Sequence, residues 1–392
     1  MQQALLIISL ILFISYAAII IYYAISWLNI PSFLPSAINH QPSTSISIII
    51  PARNEENNIA ACLQSIINQS YPKNLYEIIV IDDHSTDATA SIVQGFNQTN
   101  IKCIALKDFI GEEKNSYKKK GIEVGIAQAI GELIITTDAD CIAPPNWLQT
   151  IANFYEQKKP DLIVMPVRIR LMSNSTQNMP QGIFLQIFQA LDFMTLQGIT
   201  GAAVHKKMHS MCNGANLAYT KKAFESVNGF ADINAIASGD DMLLMHKIYT
   251  QNKNGVAYLK NEEVIMQTAP VKSITEFFNQ RIRWASKADK YDDKRMLPVL
   301  VVVYFFNVLL LALPFIGIAF NAQYSILGLW LWLLLFKILI EIIFLIPVAK
   351  FFNKQSLLFL FPIMQPFHII YTVIAGWLGK FGSYSWKGRN VK

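Results

Sequence analysis

Asp138 and Asp140 stand two residues apart in the run Thr136-Thr137-Asp138-Ala139-Asp140, directly after the apolar stretch Leu133-Ile134-Ile135. At the mouth of a buried strand, such a pair can share one divalent cation and, through it, hold a diphosphate. The same pattern also arises as plain turn chemistry at a strand end. Further polar groups arriving at the same place would separate the two readings and make a nucleotide-sugar substrate the leading one.

The neighbouring elements supply such groups. Ser45 to Ile50 is a β-branched run ending at Pro51, and Glu55 to Asn68 reads as a helix. Glu77 to Ile81 is a second strand, closed by Asp82-Asp83-His84-Ser85-Thr86-Asp87; Cys103 to Leu106 reads as a third and Leu133 to Thr137 as a fourth. Continuous apolar strands alternating with helices imply an α/β fold with a mainly parallel sheet covered on both faces. Ligands of such sheets bind beyond the carboxyl ends of the strands. Arg53, Asn54 and Glu55 follow the first strand, Asp82 and Asp83 the second, Asp138 and Asp140 the fourth. Each cluster alone could cap a helix or make a turn. Together they deliver carboxylates to one crevice.

A chain of 392 residues with 53% hydrophobic and 15% charged residues, and a mean hydropathy of +0.32, is too apolar for an ordinary soluble protein. Residues 4–27 carry no charge and can cross roughly 30 Å of hydrocarbon as a helix. No basic start precedes them, so they read as a retained anchor and not a signal peptide. Charge concentrates between Gln41 and Arg295, and apolar runs resume at 298–320, 324–349 and 356–381. The organisation is an anchor and linker (1–40), a soluble domain (41–270), an amphipathic interface helix (271–297) and a membrane block with a basic tail (298–392). The positive-inside rule places the Lys-rich domain in the cytoplasm, as suits a bacterial inner membrane. Three later spans would put the tail from Lys387 outside, against that rule. Pro362 and Pro366 interrupt the last run, which favours a re-entrant or interfacial segment and a cytoplasmic tail. Cys62, Cys103, Cys141 and Cys212 lack metal-ligand spacing and fit a reducing compartment. The net charge of +6 suits anionic membrane lipids and a phosphate-bearing donor, and is too diffuse for nucleic acid.

The chain resembles membrane-bound family 2 glycosyltransferases with a GT-A-type domain, similar to processive synthases and ceramide glucosyltransferase-like enzymes. The resemblance rests on Ile50-Pro51-Ala52-Arg53-Asn54-Glu55, Ile81-Asp82-Asp83-His84-Ser85-Thr86-Asp87, Lys118-Lys119-Lys120, Thr137-Asp138-Ala139-Asp140, Ser238-Gly239-Asp240-Asp241 and Gln280-Arg281-Ile282-Arg283-Trp284, ordered over about residues 44–290. It implies inverting transfer from a nucleotide-sugar, commonly a UDP-sugar, to a lipid or glycan acceptor. Pro51, Ala52, Arg53, Glu55 and Asp83 would hold the nucleotide. Lys118 or Lys119 would meet a phosphate, unless the basic run is a solvated helix start. Asp138 and Asp140 would face Mn²⁺ or Mg²⁺, with Asp138 also on the donor side. Asp241 would be the general base, with Asp240 orienting it or capping a helix from Met242 to Tyr249. Gln280, Arg281, Arg283 and Trp284 would close over the diphosphate and the acceptor channel, an interfacial anchor being the plainer reading. Asn213-Gly214-Ala215-Asn216 and Gly229-Phe230 resemble the acceptor-side segment.

Two alternatives stand beside single transfer. One is a processive synthase that also exports its polymer; it needs more helices than one plus two or three, unless oligomers supply them. The other is a non-catalytic scaffold binding nucleotide-sugar, which would be expected to lack Asp138, Asp140 or Asp241. His205 and His209, four apart, read as part of a gating or interfacial segment and not a metal site. Lys337 and Glu341 read as a pair facing other helices. Segment 179–200 fits the membrane surface or core packing equally.

Overall fold

The computed structural model describes residues 2–34, 42–109, 117–171, 182–208, 211–233, 239–287, 294–319, 323–382, 384–386 and 389–391. The chain divides into two compact units, one of Ile30–Arg170 with Ala203–Ala269, the other of Met1–Asn29, Leu171–Ala202 and Pro270–Lys392.

The first of these units is built on a seven-stranded sheet. Its strands are β1 (Ile46–Ala52), β2 (Tyr76–Asp82), β3 (Ile101–Ala105), β4 (Leu133–Thr136), β5 (Leu162–Val164), β7 (Leu217–Thr220) and β8 (Val256–Tyr258), in the order β3-β2-β1-β4-β7-β5-β8. β1 runs parallel to both β2 and β4, with Ile48 opposite Ile78 and Ile135. β7 alone runs antiparallel, between β4 and β5. Ile48, Ile49, Ile50, Ile78, Ile79 and Ile135 are fully buried, because helices cover both faces of a parallel sheet. Parallel pairing brings the ends of β1, β2 and β4 out side by side. A second, two-stranded parallel sheet joins β6 (Val167–Ile169) to β9 (Met266–Thr268).

The helices of this unit are α2 (Ile59–Ile67), α3 (Thr89–Gln94), α4 (Tyr117–Gln128), α5 (Trp147–Lys158), α7 (Lys221–Ser226) and α8 (Asp240–Gln251). α2 begins four residues later than its apolar pattern suggests. The amides of Asn58 and Ile59 both donate to the Glu55 carbonyl at 2.9 Å, and the Asn58 amide side chain reaches the Glu55 carboxylate at 2.8 Å. These bonds spend Glu55 to Asn58 on a turn.

The other unit gathers α1 (Gln2–Asn29), most of α6 (Gly182–His205), α9 (Ile274–Ala285), α10 (Met296–Ala319), α11 (Gln323–Phe351) and α12 (Phe361–Phe381). Four stretches, Gln3–Asn29, Met296–Ala319, Ser325–Phe351 and Gln355–Phe381, are long and apolar enough to cross a membrane and associate the chain with one. Ile7, Ile14, Phe315, Trp332 and Ile343 stand exposed on them, as side chains facing lipid would. α6 is packed on several sides: Leu191, Phe193 and Met194 are buried, and so are Gln189, Asp192 and Gln197. Of segment 179–200, the part from Leu185 onward is largely packed inside the unit, while Ile183 and Phe184 stand exposed.

The middle of the bundle holds a closed polar network. Lys337 of α11 is wholly buried and donates to Glu341 at 2.7 Å and to the Gln365 side-chain oxygen of α12 at 2.6 Å. Gln365 donates in turn to the other Glu341 oxygen at 2.6 Å, and the Tyr16 hydroxyl of α1 also bonds Glu341. Pro362 and Pro366 do not break α12. Pro362 lies in its first turn, where the missing amide has no partner to lose. Through Gln365 the start of α12 lies beside the middle of α11. Its other end meets α9, where a Cβ added at Gly379 would lie 2.7 Å from that of Ala285. The last helix therefore runs from mid-bundle to α9.

Replacing Lys337 with Met strands a buried carboxylate and is expected to cost about 3–5 kcal/mol. Lys337→Met/Glu341→Met should recover much of the loss, and thermal melting of the detergent-solubilised chain distinguishes the two variants.

Candidate functional site

The turns after β1 and β2 lock together. Asn54 and His84 take left-handed backbone angles, φ 52° and 55°. The Asn54 amide donates to Ser85 Oγ at 3.0 Å, and Asn54 Oδ1 accepts from the Thr86 amide at 2.9 Å. Arg53 Nη1 donates to the Asp83 carbonyl at 3.2 Å and lies 3.6 Å from its carboxylate, which His84 Nδ1 meets at 3.0 Å. The Asp83 amide donates to Ala52 O at 2.8 Å, placing Ala52 beside Asp83, while Pro51 pairs with Ile81 one step earlier. Glu55 is fixed one turn away, its amide on Thr89 Oγ1 at 2.8 Å. Beside them Asp82 Oδ1 is buried without a hydrogen-bond partner among the described residues.

A second group forms at the end of β4. Lys118, on the first turn of α4, donates to Asp138 Oδ1 at 2.8 Å and lies 3.6 Å from Asp240 Oδ2. Burial works against its charge. The carboxylates of Asp138, Asp240 and Asp241 outweigh burial and hold the ammonium well above the usual lysine range. Asp240 and Asp241 are the first two residues of α8, preceded by Gly239 at φ 85°. The helix thus starts earlier than the Met242 read from sequence, and the capping position belongs to Gly239, not Asp240. Left-handed backbone there favours glycine. Asp241 accepts the Gly214 amide at 2.9 Å on Oδ2 and the Met242 amide at 2.7 Å on Oδ1. Asp140 accepts the Thr268 hydroxyl of β9 at 3.1 Å.

Lys119 does not join this group. It is buried, and its ammonium donates to the Ile233 carbonyl at 2.7 Å. One residue further around a helix turns a side chain by about 100°, and of the two lysines Lys118 is the one seen against Asp138 and Asp240. Asn216 is likewise structural: it accepts from Trp147 Nε1 at 3.0 Å and donates to Pro166 O and Val264 O. His205 has cationic neighbours in Lys206 and Lys260, which disfavour a metal; His209, Ser238 and residues 179–181 fall outside the described residues.

Asp138 and Asp140 fit a particular kind of cation. No group of three or more His, Cys, Asp or Glu able to hold a metal exists among the described residues. Two carboxylates without further protein ligands suit a hard ion completed by phosphate oxygens and water, such as Mg²⁺ or Mn²⁺, and do not suit a zinc cage. Asp138 is half-exposed and already draws a cationic group, the Lys118 ammonium.

The Gln280–Trp284 motif lies on α9, in the other unit. Arg281 is buried; its Nε donates to Asp192 Oδ2 of α6 at 2.9 Å, and its guanidinium lies over Phe277 and Trp284 at 4.5 and 4.3 Å. In this structure Arg281 is thus tied to Asp192. Gln280, Arg283 and Trp284 are half-buried. Sequence reading missed Asp192 and Thr268: one charge in an apolar helix was the only signal for the first, and nothing marked the second.

A mainly parallel sheet with acidic turns at its carboxyl ends defines a GT-A domain. The same fold covers 95% of this chain and 99% of a mannosyltransferase from Pyrobaculum calidifontis, solved with GDP-Man and Mn²⁺, at a TM-score of 0.58 and 19% identity. Residues 47–227 match the family model described as Glycosyl transferase family 2. Glycosyltransferase AglE of Haloferax volcanii is 36% identical over 106 residues, 26% of this chain and 33% of that protein. The match thus spans a third of that relative's length. A dolichyl N-acetyl-α-D-glucosaminyl phosphate 3-β-D-2,3-diacetamido-2,3-dideoxy-β-D-glucuronosyltransferase of Methanococcus voltae is 23% identical over 330 residues, 81% of this chain and 93% of that protein. Over residues 47–227 the chain is similar to family 2 glycosyltransferases.

Lys118→Met leaves Asp138, Asp240 and Asp241 without their shared cation, and a loss of about 1–3 kcal/mol is expected. Added Mg²⁺ or Mn²⁺ should raise the melting temperature of this variant more than that of the unaltered chain; equal shifts would count against a shared cation site.

Proposed function

We propose that the protein is an inverting membrane glycosyltransferase, moving a sugar from a nucleotide-sugar to a lipid-linked or glycan acceptor on the cytoplasmic face of its membrane. The observation that carries this is the meeting of Asp138 and Asp240 on Lys118, with Asp241 beside Asp240 and fixed by the Gly214 amide, at the carboxyl end of a GT-A sheet. A donor lies with its base and ribose over the turns of Pro51, Ala52, Arg53, Glu55 and Asp83, where the buried Asp82 oxygen takes a hydroxyl or N–H hydrogen. Its diphosphate lies towards Asp138, Asp140 and Lys118. When bound between these carboxylates, Mg²⁺ or Mn²⁺ neutralises charge on the departing diphosphate.

Asp241 takes the proton of the acceptor hydroxyl as that oxygen bonds to the anomeric carbon. The bond from that carbon to the phosphate oxygen breaks on the opposite face, and the nucleoside diphosphate leaves with the electron pair, so the configuration inverts. The two backbone amides on Asp241 fix its carboxylate while leaving each oxygen a further lone pair. Lys118 offers its ammonium to the phosphate in exchange for Asp138. A UDP-sugar donor is favoured by the resemblance, whereas the archaeal mannosyltransferase was solved with GDP-Man. The name of the Methanococcus relative, which acts on a dolichyl phosphate-linked sugar, supports a lipid-linked acceptor.

The test is transfer of labelled sugar from UDP- and GDP-sugars by membranes containing the chain, with Mn²⁺ or Mg²⁺ present. A lipid-soluble product is expected, and a long water-soluble polymer would replace single transfer with processive synthesis. Asp241→Asn should slow transfer on the order of 10²–10⁴-fold while leaving calorimetric nucleotide binding near the unaltered value; normal turnover would remove Asp241 from the base role. Asp138→Ala should weaken metal-dependent nucleotide binding about tenfold or more, and unchanged affinity with Mn²⁺ would count against the metal assignment.

A further inference from the structure

The loop that carries Asp138 and Asp140 is fastened on two sides. Just past β4 the Thr137 amide still donates to Ile49 O at 3.2 Å, and the Cys141 amide turns back to Asp138 O at 3.1 Å. The Cys62 thiol of α2 reaches the same carbonyl at 3.7 Å. One residue beyond, Ile142 and Gln267 of β9 exchange both backbone bonds, at 2.8 and 3.0 Å. β9 is itself paired to β6, with Gln267 opposite Arg168, and the Arg170 amide donates to Thr268 O at 2.9 Å. A strand held on both sides fixes the direction of its side chains.

The side chain that this bracing brings to the acidic pair is Thr268. Its hydroxyl donates to Asp140 Oδ2 at 3.1 Å, while the Cys141 thiol donates to Asp140 Oδ1 at 3.7 Å. Branching at Cβ stiffens threonine about χ1, so the hydroxyl has a set direction before any ligand arrives. Asp138 meets a partner of another kind, the Lys118 ammonium at 2.8 Å. A neutral donor orients a carboxylate and leaves its charge in place. An ammonium offsets that charge and competes with a cation for it. Two aspartates that look equivalent in sequence are therefore prepared differently.

We infer that Thr268 is a positioning residue: it orients Asp140 as the fixed carboxylate ligand of Mg²⁺ or Mn²⁺, while Asp138 is shared in exchange with Lys118. This rests on the metal assignment within the proposed function above. Thr268 acts only through Asp140. Donors that hold a metal-binding carboxylate from behind are worth about 10- to 100-fold in metal affinity.

The test uses the full chain in detergent and Mn²⁺ alone, with the free ion followed by its paramagnetic resonance signal. Thr268→Val keeps the shape and removes the donor; it should raise the half-saturating Mn²⁺ concentration about tenfold or more, whereas Thr268→Ser should stay within about threefold of the unaltered chain. Thr268→Ala carries the same comparison if Thr268→Val does not fold. Added to Asp140→Ala, Thr268→Val should cost less than about twofold more, since the hydroxyl then has nothing left to orient, whereas general damage to the fold would multiply. In the transfer assay the Mn²⁺ requirement should shift by the same factor. Unchanged Mn²⁺ binding in Thr268→Val, equal losses in Thr268→Val and Thr268→Ser, multiplying losses on Asp140→Ala, or no Mn²⁺ bound by the unaltered chain would each overturn the inference. A chain that binds Mn²⁺ in the expected pattern yet transfers no sugar from any donor would instead remove the proposed function and leave the role of Thr268 intact.

Discussion

Carboxylates gathered into one crevice repel each other, and a site made of Asp138, Asp240 and Asp241 can persist only if something cationic stands among them. In this fold that group is Lys118, placed by the first turn of α4 so that one ammonium reaches the end of β4 and the start of α8. The rest of the domain serves this meeting. Parallel pairing of β1, β2 and β4 brings three acidic turns out on one side, and antiparallel β7 is preceded by the Gly214 amide that fixes Asp241. A lysine balanced among several carboxylates is also exchangeable, because a divalent cation or a phosphate can take over either half of the balance.

The membrane unit solves a similar problem in a harsher solvent. Lys337, Glu341, Gln365 and Tyr16 close on one another in mid-bundle, and Asp192, Arg281 and Tyr371 close on one another at α9. Buried away from water, a stranded charge has no partner to turn to, so each group must be complete. Both groups include a residue of α12, three and nine positions after Pro362, and that helix thereby ties the middle of the bundle to α9.

Much of the architecture was legible in the chain, because apolar strands and acidic turns are local patterns. β1, β2 and β4 lie within one or two residues of their expected places, and the uncharged anchor is a single helix. The start of α8 was less so: Gly239 in a left-handed conformation lets the helix begin on the two aspartates, which no periodicity announces. The contrast between Lys118 and Lys119 was hidden for another reason. Adjacent lysines look alike in sequence and differ only in the direction a helix turns them. The tie of Arg281 to Asp192 was not legible because the two lie far apart in the chain, and a buried ion pair depends on tertiary packing that local pattern cannot carry.

The close approach of Gly379 to Ala285 leaves no room for a side chain between α12 and α9. Two helices in such backbone contact cannot slide apart without opening a void, so they move as one stiff body. One end of that body is rooted among the charges at the centre of the bundle, and the other carries Gln280 and Trp284. Packing of this kind joins the buried polar network of Lys337, Glu341 and Gln365 to the helix that bears the Gln280–Trp284 motif.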